Sequence, residues 1–514
     1  MTIQEVPARP ERRGRRPDRA HTPIQQLPWQ QPCLTIEPTR IVSDDQIEAI
    51  HLHSLKVLED IGMDVLLPEA REILEEAGAI VEGERVRLGR DIVLEALKTP
   101  PAEFTFHARN PAHDITLGGN WIAFAPVGGP PNCSDADRGR RPGKLEDNAN
   151  FIRLSQFFNC IHTAGGGSVD ALDVHASVRH LHIMKNKVTL SDKALFSPST
   201  GRARLFDGME IARIARGVSR ERFLEEPSLY TVINTNSPLK LDGPMAMGII
   251  ETARHGQICC VTPFTLAGAM APVTILGALV EQNAEALFGL ALSQLAKPGA
   301  KFVYGGFTSN VDMKSGAPAF GTPEYMKACI IGGQLARRYK LPYRTSSTNA
   351  ANMVDAQAAY ESVFSLWGAI MGGGNLIQHA AGWMEGGLVG SFEKFALDVD
   401  LLQMVMEFLK PLDMSEDAFG IDAMKEVGPG GHFFGAQHTL QRYETAFYAP
   451  LISDWRNFEQ WQVSGSPQAW QKANALWKRA LAEYSPPPLD RAIAEEVDAF
   501  IARRIEEGGE KTDF

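Results

Sequence analysis

The feature that most constrains this chain is one unit repeated along it: a short apolar run that ends in small or polar residues, followed by a helical pattern. The runs are NCIHTAGGG, KALFSPST, SLYTVINTNSP, QICCVTPFT, KFVYGGFTS, PYRTSSTN, NLIQHAAG and a weaker eighth near GIDAMKEVGPGGH. Helical patterns stand before the first, between successive runs and after the last. One is ESVFSLWGAIM; another places Phe392, Phe395, Ala396, Val399 and Met406 on one face. Eight strands alternating with helices are the pattern of an α/β protein built as a closed (β/α)8 TIM barrel. An open doubly wound sheet would give a similar pattern, but no GxGxxG fingerprint opens a helix after the first strand.

The ends of these runs carry the polar chemistry. They are Gly165 to Gly167, Ser197-Pro198, Asn234-Thr235-Asn236, Thr262-Pro263, Gly305-Gly306 and Ser346-Ser347. In a barrel the carboxyl ends of the strands line the active site, so small and polar termini are expected there. Taken singly, each is also an ordinary loop before a helix. The seventh end is the richest, since NLIQHAAGWMEGGLVGSFE projects His379, Trp383 and Glu385 from a strand that stops among glycines. Such a stop suits a pocket for a small polar or cationic molecule.

Flanking segments set the domain plan. Residues 1–30 read as an Arg-rich disordered tail, with neither a secretory nor a twin-arginine signal complete. Residues 31–145 read as an α+β segment: Ser43-Asp44-Asp45 is a helix N-cap before apolar residues at helical spacing from Ile47 to Ile61, helices follow in EAREILEEAG and RDIVLEALKTP, and FTFHAR, DITLGG and NWIAFAP alternate as antiparallel strands. Residues 146–440 form the barrel. Residues 441–514 form a helical extension holding Trp455, Trp461, Trp470 and Trp477, an aromatic content that fits packing or a subunit interface of a homo-oligomer.

Composition excludes some functions. A net charge of -11, with no concentrated basic stretch outside the extreme N-terminus, argues against a nucleic-acid binder. No apolar stretch reaches the roughly 18 residues a membrane span needs. Six cysteines without a CxxC, mostly in apolar runs, favour a reducing cytoplasm. No P-loop, HExxH, GxSxG or kinase motif is present. His432 and His438 stand six apart, the wrong spacing for two metal ligands on one helical face, so no metal site is assigned. Tyr304, Phe307, Trp383, Phe433 and Phe434 stand near strand ends, where several rings together can hold a quaternary ammonium through their negative faces.

Five blocks in order resemble the trimethylamine methyltransferase family of corrinoid-dependent enzymes: LEDIGMDV (58–65), RGRRPGKLED (138–147), GGGNLIQHAAGWMEGGLVGSFEKFALDVDLL (372–402), VGPGGHFFGAQHTL (427–440) and DWRNFEQW (454–461) followed by YSPPPLD. The resemblance implies a (β/α)8 barrel that moves a methyl group from a methylated amine to the cobalt of a partner corrinoid protein, with no cofactor of its own. Archaeal members use pyrrolysine in the barrel, whereas this chain has only the common twenty residues, which places it beside the branch that takes glycine betaine. Trimethylamine, and a non-catalytic role in binding quaternary amines, are the alternatives. On this reading His379 and Glu385 are the catalytic candidates, His379 holding the polar end of the substrate and Glu385 offsetting its charge or meeting the partner. Trp383, Tyr304, Phe307, His432, Phe433 and Asn234 are the substrate-binding candidates.

Overall fold

Seven short strands make one parallel sheet in the computed structural model, which describes residues 23–165 and 168–510. Residues 1–22 of the expected tail, and Gly166 and Gly167 of the first strand end, lie outside the described residues. The strands are β1 (Ala123–Phe124), β2 (Leu195–Phe196), β3 (Leu229–Ile233), β4 (Ile258–Val261), β5 (Phe302–Gly305), β6 (Tyr343–Ser346) and β7 (Leu376–Gln378). Their order is β1-β7-β6-β5-β4-β3-β2, so the chain steps one strand at a time from β2 to β7 and then meets β1. The result is an α/β protein with a parallel half-barrel. Between its two edges runs the segment 162–164, where His162 N–H donates to Phe124 O at 2.9 Å and Ala164 N–H to Ala194 O at 2.8 Å.

Several expectations change here. The weak eighth run is no strand: Ile421–Val427 is a helix on the surface, because its apolar residues Ile421 and Met424 face outward and only Ala423 is buried. Its place in the sheet is taken by Ala123–Phe124, read from sequence as part of an antiparallel set. That run pairs in parallel with Leu376 and Ile377 because Ala123 and Ala125 are small enough to sit inside the sheet beside Leu376 and Tyr230. The remaining pair behaves as expected, Glu103–Phe106 against Ile115–Gly118 in antiparallel register. This hairpin packs Phe106, Ile115 and Leu117 under the interior formed by Tyr230, Ile258, Cys260, Val303 and Leu376.

Five of the helices are α1 (Asp44–Asp60), packed on α2 (Ile275–Ala296), then α3 (Pro323–Tyr339), and α4 (Phe392–Phe408), packed against α5 (Ala469–Glu483). Ser43 caps α1 as its sequence predicts, accepting from Gln46 N–H while Gln46 Oε1 accepts from Ser43 N–H. Helix α2 has 22 residues and is by length and composition apolar enough to cross a membrane; 78% of its most apolar window is buried in the protein. It is the inner helix between the sheet and α1. Residues 23–30, assigned from sequence to the disordered tail, lie against the core: Ile24 is buried, and Leu27 N–H donates to Gln403 Oε1 at 2.9 Å.

Candidate active site

Side chains on a strand alternate between the two faces of the sheet. Tyr343 and Thr345 of β6 point outward to α3, where the Tyr343 hydroxyl donates to Cys329 O and Thr345 Oγ1 to Cys329 Sγ. Arg344 and Ser346 therefore point inward. Arg344 is only 3% exposed. Its Nη2 donates to Gln378 Oε1 at 2.6 Å, and Gln378 Nε2 donates in turn to the Tyr230 hydroxyl at 3.1 Å. Arg344 Nε and Nη1, Ser346 Oγ and His379 Nδ1 are all buried without a hydrogen-bond partner. Buried polar atoms are normally bonded, so four orphans together at one end of a sheet mark a place built to receive a polar group.

Loops beyond the strand ends bring an aromatic wall over this point. Phe264 follows β4, Phe307 follows β5, Phe320 ends a small hairpin after that, Tyr325 opens α3, and His379 and Trp383 follow β7. The rings touch in sequence. His379 stacks on Trp383 with centroids 5.2 Å apart, Trp383 meets Phe320 at 5.2 Å, Phe320 meets Phe307 at 5.5 Å, and Phe307 lies 6.0 Å from His379 and 5.1 Å from Phe264. The Arg344 guanidinium stands 5.2 Å from the centre of the Phe307 ring, which ties the polar point to the wall.

His379 sits in the left-handed region at φ 57°. A bulky residue is uncommon there, and such residues concentrate at working sites. Burial, and then the nearby Arg344 charge, hold its imidazole well below the usual histidine range, so the ring is neutral near pH 7.

The other residues singled out by sequence divide. Trp383 and Phe307 join His379 in the wall. Asn234 is exposed at the carboxyl end of β3, on the same strand face as Tyr230, and donates to Thr262 O. Tyr304 lies on the outer face of β5 and donates to Asn283 Oδ1 of α2, so the sheet separates it from the wall. Glu385 is held at the rim by Arg140, Nε to Oε2 3.0 Å. His432 and Phe433 are exposed on the surface segment after Val427, Phe433 at 45%, and make none of the ring contacts of the wall. Among the described residues no cluster of three or more His, Cys, Asp or Glu is placed to hold a metal ion.

Sequence reasoning missed Arg344, Phe320, Phe264 and Tyr325. Arg344 did leave a signal: a charge inside the strand PYRTSST, in phase with Ser346 and so on the interior face.

A parallel half-barrel with a cluster of aromatic rings and unpartnered polar atoms at the carboxyl ends of its strands is the build of an enzyme acting on a small molecule. The family model described as Trimethylamine methyltransferase matches residues 8–509, and the chain belongs to that family of methyltransferases. The glycine betaine methyltransferase of Desulfitobacterium hafniense strain Y51 is 36% identical over 92% of this chain and 98% of its own length. A trimethylamine methyltransferase from another strain of that species is 28% identical over 91% of this chain and 94% of its own. The crystal structure of the Methanosarcina barkeri monomethylamine methyltransferase covers 87% of this chain and 89% of that one at a TM-score of 0.52 and 10% identity, a likeness of fold.

Proposed function

We propose that this chain moves a methyl group from a quaternary amine to the cobalt of a corrinoid carried by a partner protein, and that the half-barrel and the 162–164 segment together form a closed (β/α)8 barrel. The observation that carries the reading is the wall of Phe307, Phe320, Trp383 and neutral His379 at the strand ends. Ring faces attract a tetraalkylammonium, and His379 bears no charge to repel it.

The chemistry agrees. When cobalt(I) attacks a methyl carbon of a quaternary amine, the carbon–nitrogen bond breaks, its electron pair stays on nitrogen, and a neutral tertiary amine leaves. No proton is needed. A tertiary amine substrate would first have to be protonated or otherwise activated, and a neutral buried imidazole is a poor acid for that. This chain's task is then to orient the nitrogen so that one methyl faces outward, and to keep water away. The corrinoid is a co-substrate on another chain, and six free cysteines fit an assignment to the cytoplasm.

The test is purified protein with a reduced corrinoid and a panel of glycine betaine, choline, tetramethylammonium and trimethylamine, read as methylcobalamin formed. Transfer from at least one quaternary amine is expected. Transfer from trimethylamine alone would overturn the reading, and calorimetric binding without transfer would make the chain a binding protein.

A further inference from the structure

Arg344 needs an explanation that packing does not provide. It is enclosed, it makes no ion pair with any described carboxylate, and only Nη2 of its three nitrogens has a hydrogen-bond partner. Besides the neutral amide of Gln378, the titratable groups that act on its charge, Cys260, Tyr325, Tyr230 and Tyr343, are a thiol and phenols kept neutral by burial. A structural core arginine normally has its five N–H groups bonded and its charge matched, because an unmatched buried charge is strongly unfavourable. Here the free donors stand next to a ring wall suited to an ammonium. We propose that Arg344 is the carboxylate receptor of this site, so that the substrate is a quaternary ammonium that also carries a carboxylate; this rests on the quaternary-amine reading above.

The depth of the residues fixes the orientation. Arg344 pairs with Leu376, three residues before His379, and lies two residues below the strand end at Ser346. Trp383 and Phe320 come from loops beyond the ends. A carboxylate against the guanidinium fork lies at the bottom, and the N-methyl groups lie above it among the rings, facing the mouth by which a partner's cobalt must come. Ser346 Oγ, the orphan on the same strand face, is the natural second donor to that carboxylate. The neutral His379 supplies positioning rather than charge, so the role read from sequence for its side chain, holding the polar end of the substrate, passes to Arg344.

The same charge rejects other amines. Choline, tetramethylammonium and protonated trimethylamine bring a cation beside Arg344 with no anion between, in a place of low dielectric.

Two measurements test this. On the unaltered protein, calorimetry should show glycine betaine binding at least 30-fold more tightly than choline and than glycine betaine methyl ester, which keeps the shape and removes the charge. With the corrinoid assay, Arg344→Gln should raise KM for glycine betaine at least 30-fold and collapse its advantage over choline, while Arg344→Lys restores part of it. Equal binding of betaine and its ester overturns the assignment even if Arg344→Gln fails to fold. So does a folded Arg344→Gln with unchanged KM and selectivity. Both of these leave the methyl-transfer reading standing if betaine still gives methylcobalamin; absence of transfer from every quaternary amine removes that reading instead.

Discussion

Asp398 of α4 accepts the backbone N–H of Gly382 at 2.8 Å while both of its oxygens take bonds of 2.6 Å from Lys394 one turn earlier. The pair is buried, and it anchors the turn that carries His379 and Trp383 to the helix behind it. Gly382 itself is at φ 90°, and a Cβ there would stand 3.2 Å from the Phe395 ring, so a larger residue would strain the backbone and press on that ring.

From this follows a prediction about stability. Asp398→Ala strands a buried ammonium, and breaking one partner of such a pair costs about 3–5 kcal/mol. Urea unfolding should show a loss of that order. Replacing both residues, with Asp398→Leu and Lys394→Met, should recover part of it, because the uncompensated charge is then gone. A single Asp398→Ala as stable as the parent would show that the pair contributes nothing.

His379 gives the opposite pattern. Its Nδ1 has no partner, so truncation breaks no bond at that atom and should leave the melting temperature nearly unchanged. The loss of the ring that stacks on Trp383 should lower methyl transfer at least ten-fold, about 1.4 kcal/mol of transition-state stabilisation. Since burial and Arg344 depress its pKa, no ionisation of His379 should appear in kcat between pH 6 and 8. A large fall in stability with full turnover would make His379 a core residue.

These two cases show what the sequence could carry. The strand-to-helix alternation follows from periodicity, and six of the eight expected runs are strands of the sheet, because their apolar residues are buried on both faces. The first and eighth were misjudged for definite reasons. At the first, His162 replaces part of a ladder with its side chain, Nδ1 accepting from Phe124 N–H at 3.0 Å, so regular pairing is cut short. At the eighth, the glycines and apolar residues of 420–432 belong to a surface helix. The ring cluster was legible where it lay within one segment, as with the stacked His379 and Trp383. It was not legible where loops from distant positions converge: nothing in Phe264 or Phe320 alone says that they meet at 6.4 Å. Tyr304 and Phe307 are close in sequence, yet alternation within the strand sends Tyr304 to the helices, while Phe307, beyond the strand end, joins the rings of Phe320 and His379.

His162 supports a prediction about acid. Burial, the largest influence, pushes its pKa down to about 4, while an unfolded histidine titrates near 6.5. Between those values the unfolded chain binds the proton and the folded one does not. The stability that depends on neutral His162 is therefore complete above pH 6.5 and is lost as pH falls towards 4, by up to about 3 kcal/mol. In His162→Gln the melting temperature should be lower at pH 7.5, and the gap to the parent should narrow towards pH 4.5. A gap that stays constant with pH would show that His162 is not neutral in the fold.

Glu281 on α2 predicts the reverse dependence. It borders an apolar groove of about 890 Å3 between α1 and α2, one of its oxygens is buried without a partner, and Glu285 lies one turn along. Burial first, and then the Glu285 carboxylate, raise its pKa to about 8. An unfolded glutamate titrates near 4.3, so between pH 4.3 and 8 the folded protein holds a proton that the unfolded chain has released, and stability falls as pH rises through that window. Glu281→Gln keeps the shape and removes the ionisation. It should leave the melting temperature almost unaltered at pH 4.5 and raise it by several degrees at pH 8, where the parent must either bury a second negative charge beside Glu285 or retain a proton against the solution. An equal melting temperature for parent and variant at both pH values would mean that Glu281 reaches water and titrates as an ordinary carboxylate.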